Sequence, residues 1–283
     1  MKTISFASIA TLSLSLWSAA QEISPVQSAA RPFNLDIVAP VMVAGSDAAA
    51  KDFQANALPG MLDLISQNVG ERSYKNNAAL DAVALDPSKL IMQNDAAARV
   101  YFLGEGAGFR NTLGFSTLGG SPLSPDAQLI FPNASSADGY GGSGKSIRTS
   151  DEPLVAGDFV DLGSFKAGTK LDFFLIANGF YGGKDYFSTD QSVNMDGVVH
   201  AVSLASNGSA YLIIGFEDLK DGGDRDYNDL VFAVEIGSEN VKAMAGLGAP
   251  EPSLAMGALF ATIGFLGFSR RRPSAFSIRQ SGN

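Results

Sequence analysis

The chain has no cysteine in its 283 residues. That excludes disulfides, thiolate metal sites and cysteine nucleophiles, and it leaves cysteine usage silent about the compartment. Histidine is almost as scarce, since His200 is the only one. A nucleophile elbow, a phosphate-cradling loop and a two-histidine zinc motif are all missing. "GEGAGF" at 104–109 lacks both the spacing of a dinucleotide fingerprint and a following helix. Basic residues are the third shortage, with 20 Lys+Arg against 29 Asp+Glu. Between residues 21 and 250 the balance is 15 basic to 28 acidic, a net charge of −13. Such a surface repels phosphates, which argues against nucleic acid as a partner, and it attracts cations.

The two ends supply an address. "MKTISFASIATLSLSLWSAAQ" places Lys2 before an apolar stretch and ends that stretch in Ser18, Ala19 and Ala20. This is the layout of a secretory signal peptide over 1–20, cut after Ala20; a buried N-terminal helix or an uncleaved anchor is the alternative. At the other end, Pro250, Glu251 and Pro252 precede an uncharged stretch, 253–268, and then Arg270, Arg271 and Arg272. As a helix that stretch reaches roughly 24 Å at ~1.5 Å per residue. With Ser269 and snorkelling arginines it approaches the ~30 Å of a bilayer core, so a transmembrane helix is expected over 253–269. The arginines should stay cytoplasmic and hold the preceding domain outside. The order of motif, apolar helix and arginine cluster resembles the PEP-CTERM sorting signal of Gram-negative bacteria. That resemblance implies an exosortase-type processing enzyme as a partner and cleavage near the motif.

Between the ends, residues 21–50 are rich in Ala, Ser and Pro and read as a linker or arm. "PGMLDLISQNV" sets Met61, Leu62, Ile65 and Val69 at helical spacing behind Pro59, within a small helical or mixed segment that runs to residue 97. From Ala98 the pattern changes to runs of four to eight residues rich in Val, Phe, Ile and Leu, separated by Gly, Asn and Asp. That spacing predicts an all-β domain over 98–237, an antiparallel β-sandwich of jelly-roll-like or Ig-like kind. Residues 135–146 read as a surface loop, and 238–249 as a spacer before the sorting tail.

The stretch "GFEDLKDGGDRDYNDLVFAVEI", residues 215–236, holds six carboxylates within the thirteen positions 217–229. The runs on either side, 211–216 and 230–236, have strand character, so the acids fall in a connection between two paired strands. A polar hairpin loop explains Asp, Asn and Gly there. It does not explain the charge, because two carboxylates about 5 Å apart repel by roughly 0.8 kcal/mol even at the dielectric constant of water. A hard cation such as Ca²⁺ relieves that repulsion and takes staggered oxygen ligands of this kind. Asp224, Asp226 and Asn228 fill positions one, three and five of an EF-hand loop, and Glu235 falls at position twelve. Asp229, however, stands where the turn-making glycine belongs, and flanking helices are not expected. A cation site on a β loop and a solvated acidic turn therefore remain the two readings.

The same stretch resembles the closing motif of the domain of unknown function 4114 family, whose signature ends "EDL…GGDRDYNDLVF". "VYFLGEGAGFRNTLGF", "FVDLGSFKAGTKLDFFLIANGF" and "NMDGVVHAV" resemble that family's earlier elements in order, so the likeness spans about 98–237. It implies a β-sandwich with a calcium site and no established enzymatic activity.

The expected ligands are Asp224, Asp226 and Asp229, then Glu217 and Asp218 from the end of the preceding strand. Asn228 could contribute its side-chain oxygen, and Asn194 and Asp196 could complete the shell from a neighbouring loop. Tyr227 and Phe232 read as core packing, and His200 as a hydrogen-bonded structural residue. Three functions remain open at this point. The first is an exported, non-catalytic calcium-binding protein of the cell surface or exopolysaccharide matrix, structural or adhesive. The second is a carbohydrate-binding module using Phe180, Tyr181, Tyr186 and Phe187. The third is a hydrolase with paired carboxylates.

Overall fold

A computed structural model describes residues 26–69, 84–138, 147–206 and 208–248. The signal peptide with Ala20, the motif Pro250, Glu251 and Pro252, the helix expected over 253–269 and the Arg270, Arg271 and Arg272 cluster lie outside these residues. No helix among the described residues is long and apolar enough to cross a membrane.

The described chain is mostly β, with two antiparallel sheets. Its strands are β1 Ala84–Leu85, β2 Ala96–Gly104, β3 Thr112–Ser116, β4 Gln128–Phe131, β5 Phe159–Phe165, β6 Asp172–Ile176, β7 Tyr186–Ser188, β8 Ala201–Leu204, β9 Tyr211–Phe216 and β10 Leu230–Glu235. Six of them form one sheet in the order β1-β8-β9-β10-β2-β5, and four form the other in the order β4-β3-β6-β7. The inward side chains of both sheets share one buried cluster that includes Phe102, Phe115, Phe173, Leu175, Ile214 and Phe232. Phe173 and Phe232 meet across it with ring centroids 5.2 Å apart.

Most central strands are apolar on both faces, and the outer faces show why. On β10, Leu230, Phe232 and Val234 point to the shared core. Val231 and Ala233 instead join an outer cluster with Phe53, Met61 and Ile65. Phe53 opens a π turn over Phe53–Ala57, Met61 and Ile65 belong to α2 Leu58–Asn68, and α1 Ala48–Asp52 precedes them. Phe53 stacks on Tyr101 at 3.7 Å between centroids. On β6, Phe174 and Ile176 face outward against Phe33, Leu35 and Ile37. A strand covered on both faces has no reason to alternate, so it reads as a continuous apolar run.

Residues 26–50 differ from the expected linker. Val26, Val41 and Ala50 are buried. The N–H of Val38 donates to Leu129 O at 2.9 Å, and Met42 exchanges two backbone hydrogen bonds with Phe159. The arm thus pairs with the exposed edges of β4 and β5, satisfying groups that an open sheet edge leaves unpaired. The expected spacer differs too, because Ser238–Gly248 forms an eleven-residue helix, α3. Val241 and Met244 enter the shared core. Asn240 accepts the N–H groups of Gln93 and Asn94 at 2.8 and 2.9 Å, locking α3 to the chain ahead of β2. In the stretch 135–138, expected as surface loop, Ser135 and Ser136 are buried.

Candidate functional site

β9 and β10 pair in register from Phe216↔Leu230 to Tyr211↔Glu235, so their connection emerges at one end of the six-stranded sheet. Three non-glycine residues of this connection take left-handed conformations: Asp221 (φ 61°), Arg225 (φ 64°) and Tyr227 (φ 55°). Local side-chain bonds support those turns. Asp224 Oδ1 accepts the N–H of Asp226 at 3.4 Å, and Asp226 Oδ1 accepts that of Asn228 at 3.1 Å. Tyr227 is buried in the outer cluster and Phe232 in the shared core. Gly223 (φ 42°) is required as well, because a Cβ there would run into the Glu217 carboxylate.

The result is convergence. Glu217, Asp224 and Asp226 form one carboxylate triad, and Glu217, Asp218 and Asp229 a second; in each, one oxygen per residue lies within 4.8 Å of the others. Glu217, Asp218 and Asp226 are buried, whereas Asp224 is exposed. The N–H of Asp218 donates to Asp229 Oδ2 at 2.8 Å, and that of Arg225 to Glu217 Oε2 at 3.1 Å. Burial pushes the Glu217 carboxyl up from its ordinary range, and Asp224 and Asp226 push the same way. Burial likewise raises Asp218, against the opposing Asn111 amide. Asp229 is raised by burial and then by the charges of Asp218 and Glu217. Carboxylates crowded in this way must hold protons or a cation.

The donor set suits one class of ion. It is all hard oxygen, with neither imidazole nor thiolate among the carboxylate triads. Ca²⁺ takes six to eight such oxygens at about 2.3–2.6 Å in flexible geometry, and each triad brings one oxygen per residue within 4.8 Å of the others. Mg²⁺ keeps several waters and is usually bound through one or two carboxylates beside substrate phosphates.

The remaining expected ligands have other partners. Asn228 donates its amide to Asp226 Oδ2 at 2.5 Å, which makes it a brace for that carboxylate. Asn194 is buried and accepts the Ser188 N–H at 2.7 Å while its amide donates to Val198 O at 2.9 Å, so it organises its own loop. Asp196 accepts from Val198 N–H at 3.0 Å and Asp221 N–H at 2.9 Å, and pairs with His200 Nε2 at 2.8 Å. Burial works against its charge, but those three donors hold Asp196 down at about 2. His200 is fully buried and stacked on Phe187 at 3.9 Å. Glu235 sits at the far end of β10, accepting the Tyr101 hydroxyl at 3.2 Å, so the EF-hand numbering has no counterpart in space.

Asn111 is the residue that sequence reasoning missed. Its amide donates to Asp218 Oδ2 at 2.7 Å from the β2–β3 connection. Beside it, Gly106 N–H donates to Asn228 O at 2.9 Å. Both lie in the stretch 100–115, and its closeness to the acidic loop needed the β2–β10 pairing to become visible.

The fold and loop together define a mostly β, two-sheet protein with a cluster of carboxylates at one sheet end. Residues 165–237, which carry that cluster and β6 to β10, match the family model described as Domain of unknown function (DUF4114). Comparisons with the curated proteins and with the solved structures found no match.

Proposed function

We propose that this chain is an exported, non-catalytic β-sandwich protein whose 217–229 loop holds calcium. The observation that carries the reading is the pair of carboxylate triads sharing buried Glu217. Glu217, Asp218, Asp224, Asp226 and Asp229 would hold the ion, and the ion would supply the charge that lets them ionise together. Its effect is structural: it ties the ends of β9 and β10 to the loop between them. The signal-peptide and PEP-CTERM-like ends support export, exosortase processing and display at the cell surface or in the exopolysaccharide matrix, in a structural or adhesive role.

The carbohydrate reading has less support. Of its four aromatic rings only Tyr181 is well exposed. Phe187 is buried under His200, and Tyr186 packs edge-on against Phe33. The hydrolase reading needs a raised carboxyl facing a second carboxylate across a cleft, whereas the raised Glu217 and Asp229 belong to one cluster with Asp218. A cavity of about 480 Å³ has Asp86, Asp190 and His200 in its wall. Burial opposes ionisation of Asp86, but Ser88 and Lys89 hold it below its ordinary value. Lys170 and Ser192 do the same for Asp190.

Calorimetric titration with Ca²⁺ is the direct test, carried up to the roughly 10⁻³ M at which extracellular calcium modules bind. No heat and identical melting in calcium and in chelator would refute the cation site. Mass spectrometry of the native protein tests the address: intact 251–283 would rule out cleavage at the motif.

A further inference from the structure

We propose that Asp196 and His200 are positioning residues for the cation loop, holding from the neighbouring turn the geometry that brings Asp224 back to Glu217. The inference rests on the calcium reading above. The turn at 196–200 grips the first part of the loop at two points. At Glu217, the backbone N–H donates to His200 O at 2.9 Å, while His200 Nδ1 lies 3.2 Å from Glu217 O. Four residues on, the N–H of Asp221 donates to Asp196 Oδ2, the same oxygen that His200 Nε2 meets at 2.8 Å. An ionised carboxylate only accepts, so Nε2 carries a proton in this pair. One side chain therefore bridges the imidazole that touches Glu217 and the amide of Asp221.

What that amide controls is a strained turn. Asp221 is left-handed at φ 61°, a conformation that is costly for a non-glycine residue, and Gly222 and Gly223 follow at φ 80° and 42°. These three residues reverse the chain between Glu217 and Asp224. Further along, the Tyr227 hydroxyl donates to Val199 O at 3.5 Å, and a Cβ on Gly222 would come within 3.1 Å of Val198 Cγ1. The turn at 196–200 thus backs the loop along its length without offering it a ligand. The triad of Glu217, Asp218 and Asp229 depends far less on this support, because strand pairing and Asn111 hold it. The outer arm, Asp224, has no comparable anchor of its own. It is exposed, and its hydrogen bond from the Asp226 N–H stays within the loop.

Partners of this kind, one step removed from the metal, commonly change metal affinity by about 10–100-fold. The test is Ca²⁺ calorimetry on the full chain with Asp196→Asn and His200→Gln. Asp185→Asn serves as a charge control, since Asp185 pairs with Lys220 of the loop at 2.9 Å but is not a hydrogen-bond partner of its backbone. Asp196→Asn keeps the shape of the turn and covers the case in which His200→Gln, beneath Phe187, fails to fold. The expected result is affinity at least tenfold weaker for Asp196→Asn and binding within about twofold of wild type for Asp185→Asn. Terbium luminescence lifetimes in H₂O and D₂O should count about one more bound water in Asp196→Asn, as the Asp224 carboxylate leaves the ion. A variant that binds like wild type overturns the proposal. So does an equal loss in Asp185→Asn, which would make the effect one of charge alone. If wild type itself binds no calcium, the cation reading fails first and takes this one with it.

Discussion

Replacing Asp229 with asparagine should reverse the sign of its effect according to whether calcium is present. Asn keeps the shape and can still accept the Asp218 N–H through its oxygen. It also removes one of the charges facing Asp218 and Glu217. At the 4.8 Å limit of the triad, one carboxylate pair repels by about 3.5 kcal/mol at an effective dielectric constant of about 20. Asp229 already holds its proton more tightly than an ordinary carboxyl, so only part of that repulsion is present near neutral pH. A gain of roughly 2 kcal/mol in chelator is the reasonable expectation, or about 4–8 °C in melting temperature for a domain of this size. In calcium at one hundred times the dissociation constant, wild type gains about 2.7 kcal/mol from binding. The variant loses a ligand and, with a hundredfold fall in affinity, keeps only about 0.4 kcal/mol of that gain, so wild type becomes the more stable protein. Melting by circular dichroism at pH 8, in chelator and in calcium, reads both signs. A variant that is destabilised equally in both buffers would show that Asp229 acts through packing alone, and the electrostatic reasoning would be wrong.

The pH dependence follows from the raised carboxyls. A folded-state pKa above the unfolded value stabilises the fold at acid pH, and that stability is lost as pH rises through the folded value. In chelator, melting should therefore fall between pH 5 and pH 9, as Glu217 and Asp229 are forced to ionise. In calcium the decline should flatten, with proton release on binding measurable by calorimetry in buffers of different ionisation heat. Gly223→Ala places a methyl against the Glu217 carboxylate at a left-handed position and should cost calcium affinity at least tenfold, read by the same titration. Asn240→Ala removes an oxygen that accepts two N–H groups and an amide that donates to Ile236 O at 2.8 Å. Roughly 2–4 kcal/mol should be lost with buried groups left unpaired, and calcium affinity should be unchanged. Tyr181→Ala, in contrast, should leave stability unaltered, and a glycan array on which only the wild type binds would revive the carbohydrate reading.

The local features of this protein were legible in the chain itself. Apolar runs at 211–216 and 230–236 marked a strand pair, and the six acids between them marked a concentration of negative charge. Met61 and Ile65 at helical spacing marked α2, and Tyr227 and Phe232 read as packing because bulky rings beside a strand are normally buried. Each of these depends on neighbours in sequence, through side-chain period, turn chemistry or charge density. The grouping of the ligands did not. Asp224, Asp226 and Asn228 have the spacing of an EF-hand, yet left-handed Arg225 and Tyr227 redirect them, and neither position is marked by a glycine. Asn111 reaches Asp218 only because β2 pairs with β10, a relation between residues more than a hundred positions apart. Asp196 lies close to the loop, where Val198, His200 and Asp221 meet its carboxylate through contacts that only the folded turn creates. The arm at 26–50 has no apolar period to announce it, since what recruits it is the unpaired backbone of two sheet edges. Sequence by itself determined that negative charge is concentrated between two strands. Tertiary structure alone decided which carboxylates share a site, because that depends on register and backbone handedness.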